Sequence, residues 1–235
     1  MNVSVAMAVY NGEKYISDQI KSIIVQLREN DELVISYDDS SDKTLNIIKS
    51  FADSDSRIKL LPGPNKGVIA NFENAIKRCM NECIFLSDQD DIWTEDKVKC
   101  VLKEFEDNKV DLVIHDARIV DENLNQVNES FFNLRKCKKG LIKNIVKNSY
   151  IGCCMAFKSS LKKYILPFPH NIPMHDQWIG LISEHKGNVK FLDKKLILYR
   201  RHGNNLSSSS HSGVKQMIAW RYNIVKEYMR RCKGG

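Results

Sequence analysis

Apolar residues follow two different spacings in the first ninety residues of the chain. Continuous apolar runs rich in β-branched residues predict strands, and they lie at residues 3–9, 32–36, 58–61 and 84–86. Between these runs, apolar residues recur every three or four positions and predict three helices, centred near Ile20, Ile48 and Phe72. Strand and helix therefore alternate up to a fourth strand, which predicts an α/β fold with a doubly wound, mostly parallel sheet.

Further element boundaries follow from the same pattern. Asp42 opens the second helix, and Ser40 or Ser41 is expected to cap it. Residues 110–120 predict one long strand or a strand pair. If residues 152–157 form a strand, its alternation would place the adjacent thiols of Cys153 and Cys154 on opposite faces.

An acidic cluster follows the fourth predicted strand directly. Asp88, Asp90 and Asp91 place three carboxylates within four residues. Repulsion and desolvation disfavour such a cluster unless a cation neutralises it, and a hard divalent ion such as Mg²⁺ or Mn²⁺ takes oxygen ligands of this kind. A solvated acidic turn, with Asp91 or Thr94 capping the next helix, explains the segment equally well, so both interpretations stay open here.

Polar residues follow three of the predicted strands at their carboxyl ends, where open α/β sheets bind ligands. They are residues 10–12, 38–40 and 87–91. The chain contains neither a dinucleotide-binding nor a P-loop glycine motif, which disfavours dehydrogenases and P-loop NTPases. A metal held by the acidic cluster then becomes the better way to neutralise phosphates. The carboxylate of Asp38 is suited to accept hydrogen bonds from a base or a ribose hydroxyl.

Composition adds limited constraints. The 235 residues, 43% of them hydrophobic, predict one main domain. The net charge of +7 indicates anionic partners without choosing among them. Seven cysteines without a C-x-x-C pair favour reduced thiols in the cytoplasm. We expect no membrane span and no secretory signal.

Six segments, in order, resemble the family-2 inverting glycosyltransferases of the GT-A fold. They are residues 4–15, 36–42, 65–68, 85–93, 175–178 and 198–205. The last two are similar to the bacterial rhamnosyltransferase-like branch that builds capsule and O-antigen. The resemblance spans about residues 3–206 and favours the metal interpretation of the acidic cluster. It implies a nucleotide-sugar crevice at the carboxyl edge of the strands.

The resemblance also implies roles for individual residues. Those expected to bind the nucleotide sugar are Ala8, Tyr10, Glu13, Asp38, Asn71, Asp88 and Gln89. Asp90 and His202 are expected to hold Mn²⁺ or Mg²⁺, although a solvated loop histidine is the ordinary alternative for His202. The chain departs from the family at Tyr37, which occupies the usual first aspartate position, so Asp39 ranks second to Asp38.

Asp176 is the expected general base, because an inverting displacement needs a carboxylate opposite the leaving group. An N-cap is the structural alternative, since aspartate is favoured there too. The resemblance places Gly152, Cys153, His175 and Trp178 around the donor sugar and acceptor, while helical spacing makes Trp178 more typical of a core residue. Residues 131–139, rich in lysine and arginine, are expected to form an acceptor-side loop.

The implied activity is metal-dependent transfer of a hexose or deoxyhexose, of the rhamnose or galactose/glucose type, from a dTDP- or UDP-sugar to a growing bacterial glycan. A lipid-linked acceptor at the inner face of the plasma membrane and no nucleic-acid partner are expected. Two other classes stay open: a non-catalytic nucleotide-sugar or glycan-binding protein, and a metal-dependent sugar nucleotidyltransferase. The latter normally needs a glycine- and arginine-rich loop that residues 10–13 do not resemble.

The last thirty residues form a separate segment in this prediction. We expect a transferase domain over 1–206, with a nucleotide-binding half (1–108) and an acceptor half (109–206), then a serine-rich linker and basic helix over 207–235. Apolar residues expected on one helical face are Val214, Met217, Ile218, Ile224, Val225 and Tyr228. Such a helix either lies on an anionic membrane or packs on the domain.

Overall fold

The computed structural model describes residues 1–203 and 213–233, which contain nine strands and nine α-helices. The strands are β1 Val3–Val9, β2 Glu32–Tyr37, β3 Ile58–Pro62, β4 Cys83–Ser87, β5 Ile92–Trp93, β6 Leu112–Val120, β7 Gln126–Asn128, β8 Met155–Lys158 and β9 Val189–Arg200. The helices are α1 Ile16–Ile24, α2 Thr44–Ser54, α3 Val68–Arg78, α4 Lys97–Phe105, α5 Phe131–Arg135, α6 Leu141–Val146, α7 Lys162–Ile165, α8 His175–Lys186 and α9 Val214–Lys233.

The first four strands form the predicted parallel half of the sheet. Their spatial order is β3-β2-β1-β4, and all three pairings are parallel. Every residue of β1 is buried, as expected for a strand covered on both faces. Because Val9 pairs with Tyr37 and Met7 with Ser87, the residues that follow β1, β2 and β4 meet at one edge of the sheet.

Beyond β4 the sheet becomes mixed. Strand β8 runs antiparallel between β4 and β6, and β9 returns parallel to β6. The short β5, just after the acidic loop, pairs antiparallel with β9 through Ile92 and Leu198. This pairing brings the end of β9 against the acidic loop. Within residues 110–120 the structure has the single strand β6, so the prediction of one long strand is confirmed and the alternative of a strand pair is wrong.

Three local predictions are wrong. Neither Ser40 nor Ser41 caps α2, because the helix begins at Thr44 and its N-cap is Lys43. The Asp42 carboxylate, just before that position, accepts the Thr44 backbone N–H at 3.0 Å. Residues 131–139 are not all loop, since Ser130 caps the short helix α5 by accepting the Asn133 N–H. Residues 152–154 form a 3₁₀ turn before β8, so strand alternation does not apply to the two buried cysteines there.

Helix α9 packs on the domain by one face and leaves a second face exposed. Ile224 and Tyr228 are buried, whereas Ile218 is 59% exposed, so the single apolar face predicted for this helix is wrong. Arg231 donates to the backbone carbonyls of residues 164, 166 and 167, which fixes the end of the helix. The predicted domain boundary at 206 and the serine run 207–210 lie outside the described residues. Within the described part of the chain, no helix is both long and apolar enough to cross a membrane.

Candidate active site

The ends of β1, β2 and β4 are joined by side chains at the carboxyl edge of the sheet. Gln89 accepts the Tyr10 backbone N–H and donates to the Tyr10 carbonyl, both at 2.8 Å. The Asp38 backbone N–H donates to the Val9 carbonyl at 2.9 Å. Gln89 therefore fixes the acidic loop against the first strand, a structural function beside the predicted ligand contact.

Asp38 is buried at this edge of the sheet, whereas the side chain of Asp39 is exposed to solvent. The Asp38 carboxylate is buried and accepts the Asn65 backbone N–H at 2.8 Å. A Cβ at Gly63 would collide with this carboxylate, so only glycine permits the close approach. Asp39 is exposed and bonds the Asn65 side chain at 2.7 Å. This arrangement favours Asp38 over Asp39 for a base or ribose contact.

The other residues expected around the nucleotide divide into buried and exposed positions. Ala8 is buried in β1, and Asn71 donates to the Val9 carbonyl at 3.2 Å from α3. The Asn71 Oδ1 atom is buried without a hydrogen-bond partner in the described residues, so it has acceptor capacity to spare. Tyr10 is 58% exposed. The exposed Glu13 accepts the Lys43 backbone N–H at 2.7 Å, which ties the β1 loop to α2.

Asp90 and His202 lie together, although they are 112 positions apart in the sequence. The His202 Nε2 atom is 2.9 Å from Asp90 Oδ2, and the imidazole stacks near the Tyr15 ring. Buried Arg200 supports the pair: its Nε donates to the Asp90 carbonyl at 2.9 Å, and its backbone N–H donates to Asp91 Oδ1 at 3.0 Å. The end of β9 therefore holds the acidic loop in place.

A second acidic group lies deeper in the protein. Ligand atoms of Asp88, Asp91 and Cys153 lie within 4.8 Å of one another. Burial, together with the charges of Asp90 and Asp176, raises the pKa of the Asp88 carboxyl to about 7. Burial, together with the charges of Asp90 and Asp88, raises the pKa of the Asp91 carboxyl well above its usual value. Asp91 caps no helix, because α4 begins only at Lys97.

The donor atoms present suit a hard divalent ion on the outer side of this loop. Carboxylate oxygen and imidazole nitrogen are both accepted by Mn²⁺, whereas the thiol of Cys153 suits softer ions. The Asp90 and His202 side chains are 15% and 9% exposed, while Asp91 and Cys153 are fully buried. Repulsion between these carboxylates adds to burial in raising the pKa values of Asp88 and Asp91. Both observations fit a cation bound at Asp90 and His202.

Asp176 lies in the first turn of α8. Its Oδ1 accepts the Gln177 backbone N–H and the Asn148 side-chain N–H, the latter at 3.2 Å. The helix N-cap is Met174, so the interpretation of Asp176 as an N-cap is wrong. Burial raises the pKa of this carboxyl to about 6, while the backbone hydrogen bonds oppose that rise. The charge of Asp176 contributes to the raised pKa of Asp88, so the two carboxylates lie within electrostatic range of one another.

The four residues placed around the sugar by resemblance have different environments. Trp178 is fully buried and donates its indole N–H to the Ile165 carbonyl at 2.9 Å, so its assignment to the sugar pocket is wrong. His175 is buried against Phe72 with ring centroids 4.0 Å apart, and neither ring nitrogen has a hydrogen-bond partner in the described residues. Burial lowers the pKa of its imidazole to about 3. Gly152 packs on His175, and buried Cys153 belongs to the inner acidic group.

Three supporting residues are absent from the sequence-based assignment. Asn148 orients Asp176, and Gln19 donates to Ser87 Oγ and to the Asp88 carbonyl from α1. Lys97 is fully buried beneath the acidic group, on the same side of α4 as Val101 and Phe105. Only Lys97 leaves a signal in the sequence, because a lysine on the apolar face of an amphipathic helix needs an internal partner.

An α/β sheet that ends in Asp38 and an aspartate-rich loop, with a further carboxylate opposite, defines the GT-A class of nucleotide-sugar transferases. Residues 4–165 match the family described as glycosyl transferase family 2, and the chain belongs to this family. The GT-A fold and the glycosyltransferase class predicted from the sequence are thereby confirmed, and the family transfers sugars with inversion.

Relatives and solved structures agree with this assignment. The chain is 34% identical over 220 residues to the dTDP-rhamnosyl transferase RfbG of Shigella flexneri, covering 85% of this chain and 72% of that protein. It is 29% identical to the glucosyltransferase WfgD of Escherichia coli, which uses UDP-Glc and a GlcNAc-diphosphoundecaprenol acceptor, with 91% and 83% covered. Staphylococcus aureus TarS with UDP-GlcNAc superposes with a TM-score of 0.73 at 21% identity, over 98% of this chain and 66% of TarS. The Pyrobaculum calidifontis mannosyltransferase PcManGT, solved with GDP-Man and Mn²⁺, has a TM-score of 0.64 at 17% identity, with 100% and 64% covered.

Proposed function

We propose that this protein transfers a hexose or deoxyhexose from a dTDP- or UDP-sugar to a growing bacterial surface glycan, with inversion and with Asp176 as the general base. The observation that carries the proposal is the position of Asp176, which lies in the first turn of α8 within electrostatic range of Asp88 in the acidic loop. The named substrates of RfbG and WfgD support dTDP-rhamnose and UDP-glucose as the first donors to test.

On the donor side, Asp38 and Asn71 are placed to contact the nucleoside, together with Ala8, Tyr10 and Glu13. Asp88 would bind the donor ribose at the acidic loop. Asp90 and His202 would hold Mn²⁺ or Mg²⁺, which when bound supplies positive charge to the leaving nucleoside diphosphate. Arg200 keeps the Asp90 carbonyl and the Asp91 carboxylate in place, so the loop needs little rearrangement when a donor binds.

On the acceptor side, Asp176 takes the proton of the attacking hydroxyl as its oxygen bonds to the anomeric carbon. The bond from that carbon to the diphosphate oxygen breaks, and its electron pair leaves with the nucleoside diphosphate. A pKa near 6 leaves Asp176 ionised at neutral pH and more basic than an ordinary aspartate. Asn148 bonds one carboxylate oxygen and fixes the direction of the other.

A donor panel tests the proposal. We expect dTDP-rhamnose, UDP-glucose or UDP-galactose to release nucleoside diphosphate when Mn²⁺ is present, faster still with a GlcNAc-diphosphate-lipid acceptor analogue. The measurement is a coupled assay for free UDP and dTDP, with EDTA as the control. Binding without release across the panel would favour a non-catalytic sugar-nucleotide-binding protein. Release of pyrophosphate from a nucleoside triphosphate and a sugar phosphate would favour a nucleotidyltransferase.

The exposed face of α9 supports contact with an anionic membrane at the inner face of the plasma membrane, where a lipid-linked acceptor would lie. Ile218, Tyr222, Val225 and Met229 are spaced by four, three and four residues, and all are exposed. Lys215 and Lys226 are exposed on the same helix. Arg221 donates to the Val146 carbonyl, which places exposed Ile142 and Val146 of α6 beside this face. Apolar residues with lysines at their margin suit an anionic lipid surface.

We therefore expect the protein to sediment with phosphatidylglycerol vesicles at low salt and to be released as salt rises. The double change Lys215→Glu and Lys226→Glu should abolish most of this binding and leave donor hydrolysis unchanged. Lys99→Glu with Lys103→Glu on α4 provides a control of equal charge. Arg231 is unsuitable for the test because it holds the carbonyls of residues 164–167. A wild-type protein that stays in the supernatant at low salt would contradict the membrane contact.

A further inference from the structure

Lys97 is a lysine without exposure to solvent at the first position of α4. Its Nζ atom donates to the Cys153 carbonyl at 2.8 Å and lies 4.0 Å from the centre of the Trp93 ring. Burying an ammonium is costly unless fixed partners compensate it. We therefore expect the contacts of Lys97 with the Cys153 carbonyl and the Trp93 ring to hold these residues in place.

The residue that Lys97 holds belongs to a turn between the two halves of the proposed site. On one side, the Cys153 side chain lies with Asp88 and Asp91, all within 4.8 Å. On the other side, the Gly152 backbone N–H lies near enough to the Asp176 carboxylate to lower its pKa. A Cβ at position 152 would lie 2.8 Å from His175 Nε2 and 3.7 Å from Asp176 Cβ, so the turn packs directly on the start of α8. One three-residue turn thus touches both the acidic group and the base.

Charge gives Lys97 a second connection to the same region. Its ammonium lies within electrostatic range of both Asp88 and Asp91. It approaches them from the protein interior, whereas Asp90 and His202 are partly exposed. The Lys97 ammonium therefore attracts the acidic loop from the protein interior, while its hydrogen bond to the Cys153 carbonyl holds the adjacent turn.

We propose that Lys97 is a positioning residue that fixes the Gly152–Cys154 turn and thereby the distance between Asp176 and the acidic loop. Lys97 touches neither donor nor acceptor in this role, which rests on the proposed function of Asp176 as the base. Displacing a catalytic group by about 1 Å can reduce a rate by ~100-fold, so loss of this hold should be visible in turnover.

The test compares Lys97→Met, which removes the charge and the donor, with Lys97→Arg and with the exposed control Lys99→Met. Hydrogen exchange of the peptide containing residues 152–155 reports on the turn, because the amides of Cys154 and Met155 form its internal hydrogen bonds. We expect Lys97→Met to accelerate exchange there at least ~10-fold relative to other core peptides. We also expect kcat to fall ~10- to 100-fold, with the donor KM changed by less than ~3-fold. Lys97→Arg should recover part of both, and Lys99→Met should match the wild type.

Exchange and kinetics separate the possible failures. Unchanged exchange at residues 152–155 in Lys97→Met overturns the proposal, whether or not the wild type transfers sugar. Faster exchange with an unchanged kcat also overturns it, because the turn would then not position the base. A wild type that releases no nucleoside diphosphate overturns the proposed function, while the exchange result still decides whether Lys97 holds the turn. If Lys97→Met does not fold, Lys97→Leu also removes both the charge and the donor and carries the same expectations.

Discussion

Replacing Asp176 by asparagine is expected to reduce sugar transfer by about two to four orders of magnitude, the usual span for a positioned acid or base. The amide keeps an oxygen that can accept the Gln177 and Asn148 N–H groups, but it cannot take a proton. Donor binding should stay near the wild-type value, since the nucleotide residues lie on other elements. The measurements are kcat for transfer and the calorimetric Kd for UDP or dTDP with Mn²⁺.

The same residue predicts the pH dependence of transfer. Because the base acts when ionised and its pKa is about 6, the rate should rise with pH and reach half its plateau near pH 6. Below that value it should fall about tenfold per pH unit. The residual activity of Asp176→Asn should not show this titration. The exposed Asp193→Asn on β9 is the control, expected to keep the wild-type rate and profile.

The contribution of Asp176 to the stability of the fold should change with pH in the opposite direction to the transfer rate. This difference distinguishes a catalytic base from a structural carboxylate. Folding raises the pKa of Asp176 from 3.8 to about 6, so the folded state binds this proton more tightly than the unfolded state. The contribution of this group to stability is thus greatest below pH 3.8 and declines as pH rises through 6. At pH 7.5 we expect the Tm of Asp176→Asn to equal or exceed that of the wild type. A sharply lower Tm with surviving transfer would assign Asp176 to the fold.

The parallel half of the sheet was predictable because its information is local. Strand β1 is a continuous apolar run with both faces covered, and helix α3 shows the spacing of an amphipathic helix. The convergence of Tyr10, Asp38 and Asp88 then follows from the rule that strand ends in a parallel sheet share an edge. The local apolar pattern and one topological rule were therefore enough to place these residues at one edge of the sheet.

The second half depends on contacts that no local pattern encodes. The antiparallel insertion of β8 between β4 and β6 is a long-range pairing, and with it comes the turn that places Cys153 against Asp88. The proximity of His202 to Asp90 spans 112 positions and was accessible only through the family resemblance. Trp178 shows the converse case, because the resemblance placed it at the sugar while its helical spacing favoured the core, where it lies.

Some of the incorrect predictions concern features that the local sequence did indicate. Ser130 stands three positions before Asn133 and caps α5, although the surrounding lysines and arginines suggested a loop. Helix α9 carries two apolar faces, one around Ile224 and one around Ile218, and the sequence pattern merges them. Amphipathic spacing identifies that a residue faces something apolar, but it does not distinguish the domain from a membrane or a partner.

Replacing Asp90 by alanine is the second change with a large expected effect. It should weaken binding of the nucleoside diphosphate when metal is present and leave it equal or stronger when metal is absent. The substitution removes a charged ligand from the proposed ion and separates His202 from its partner at 2.9 Å. The affinity gained on adding Mn²⁺ should fall at least ~10-fold, equivalent to about 1.4 kcal/mol. Without metal, the affinity for the diphosphate should be equal to or higher than that of the wild type, because one repelling carboxylate has gone.

Calorimetric titration of UDP and dTDP, each with and without Mn²⁺, measures both changes in affinity. Glu95→Ala removes a carboxylate from an exposed position four residues after Asp91 and should change neither affinity. A general loss of fold would weaken binding under both conditions, so an unchanged or improved metal-free Kd shows that the crevice is intact. If Asp90→Ala retains the full Mn²⁺-linked gain, the ion is not held at Asp90 and His202. The inner group of Asp88, Asp91 and Cys153 would then be the place to look for it.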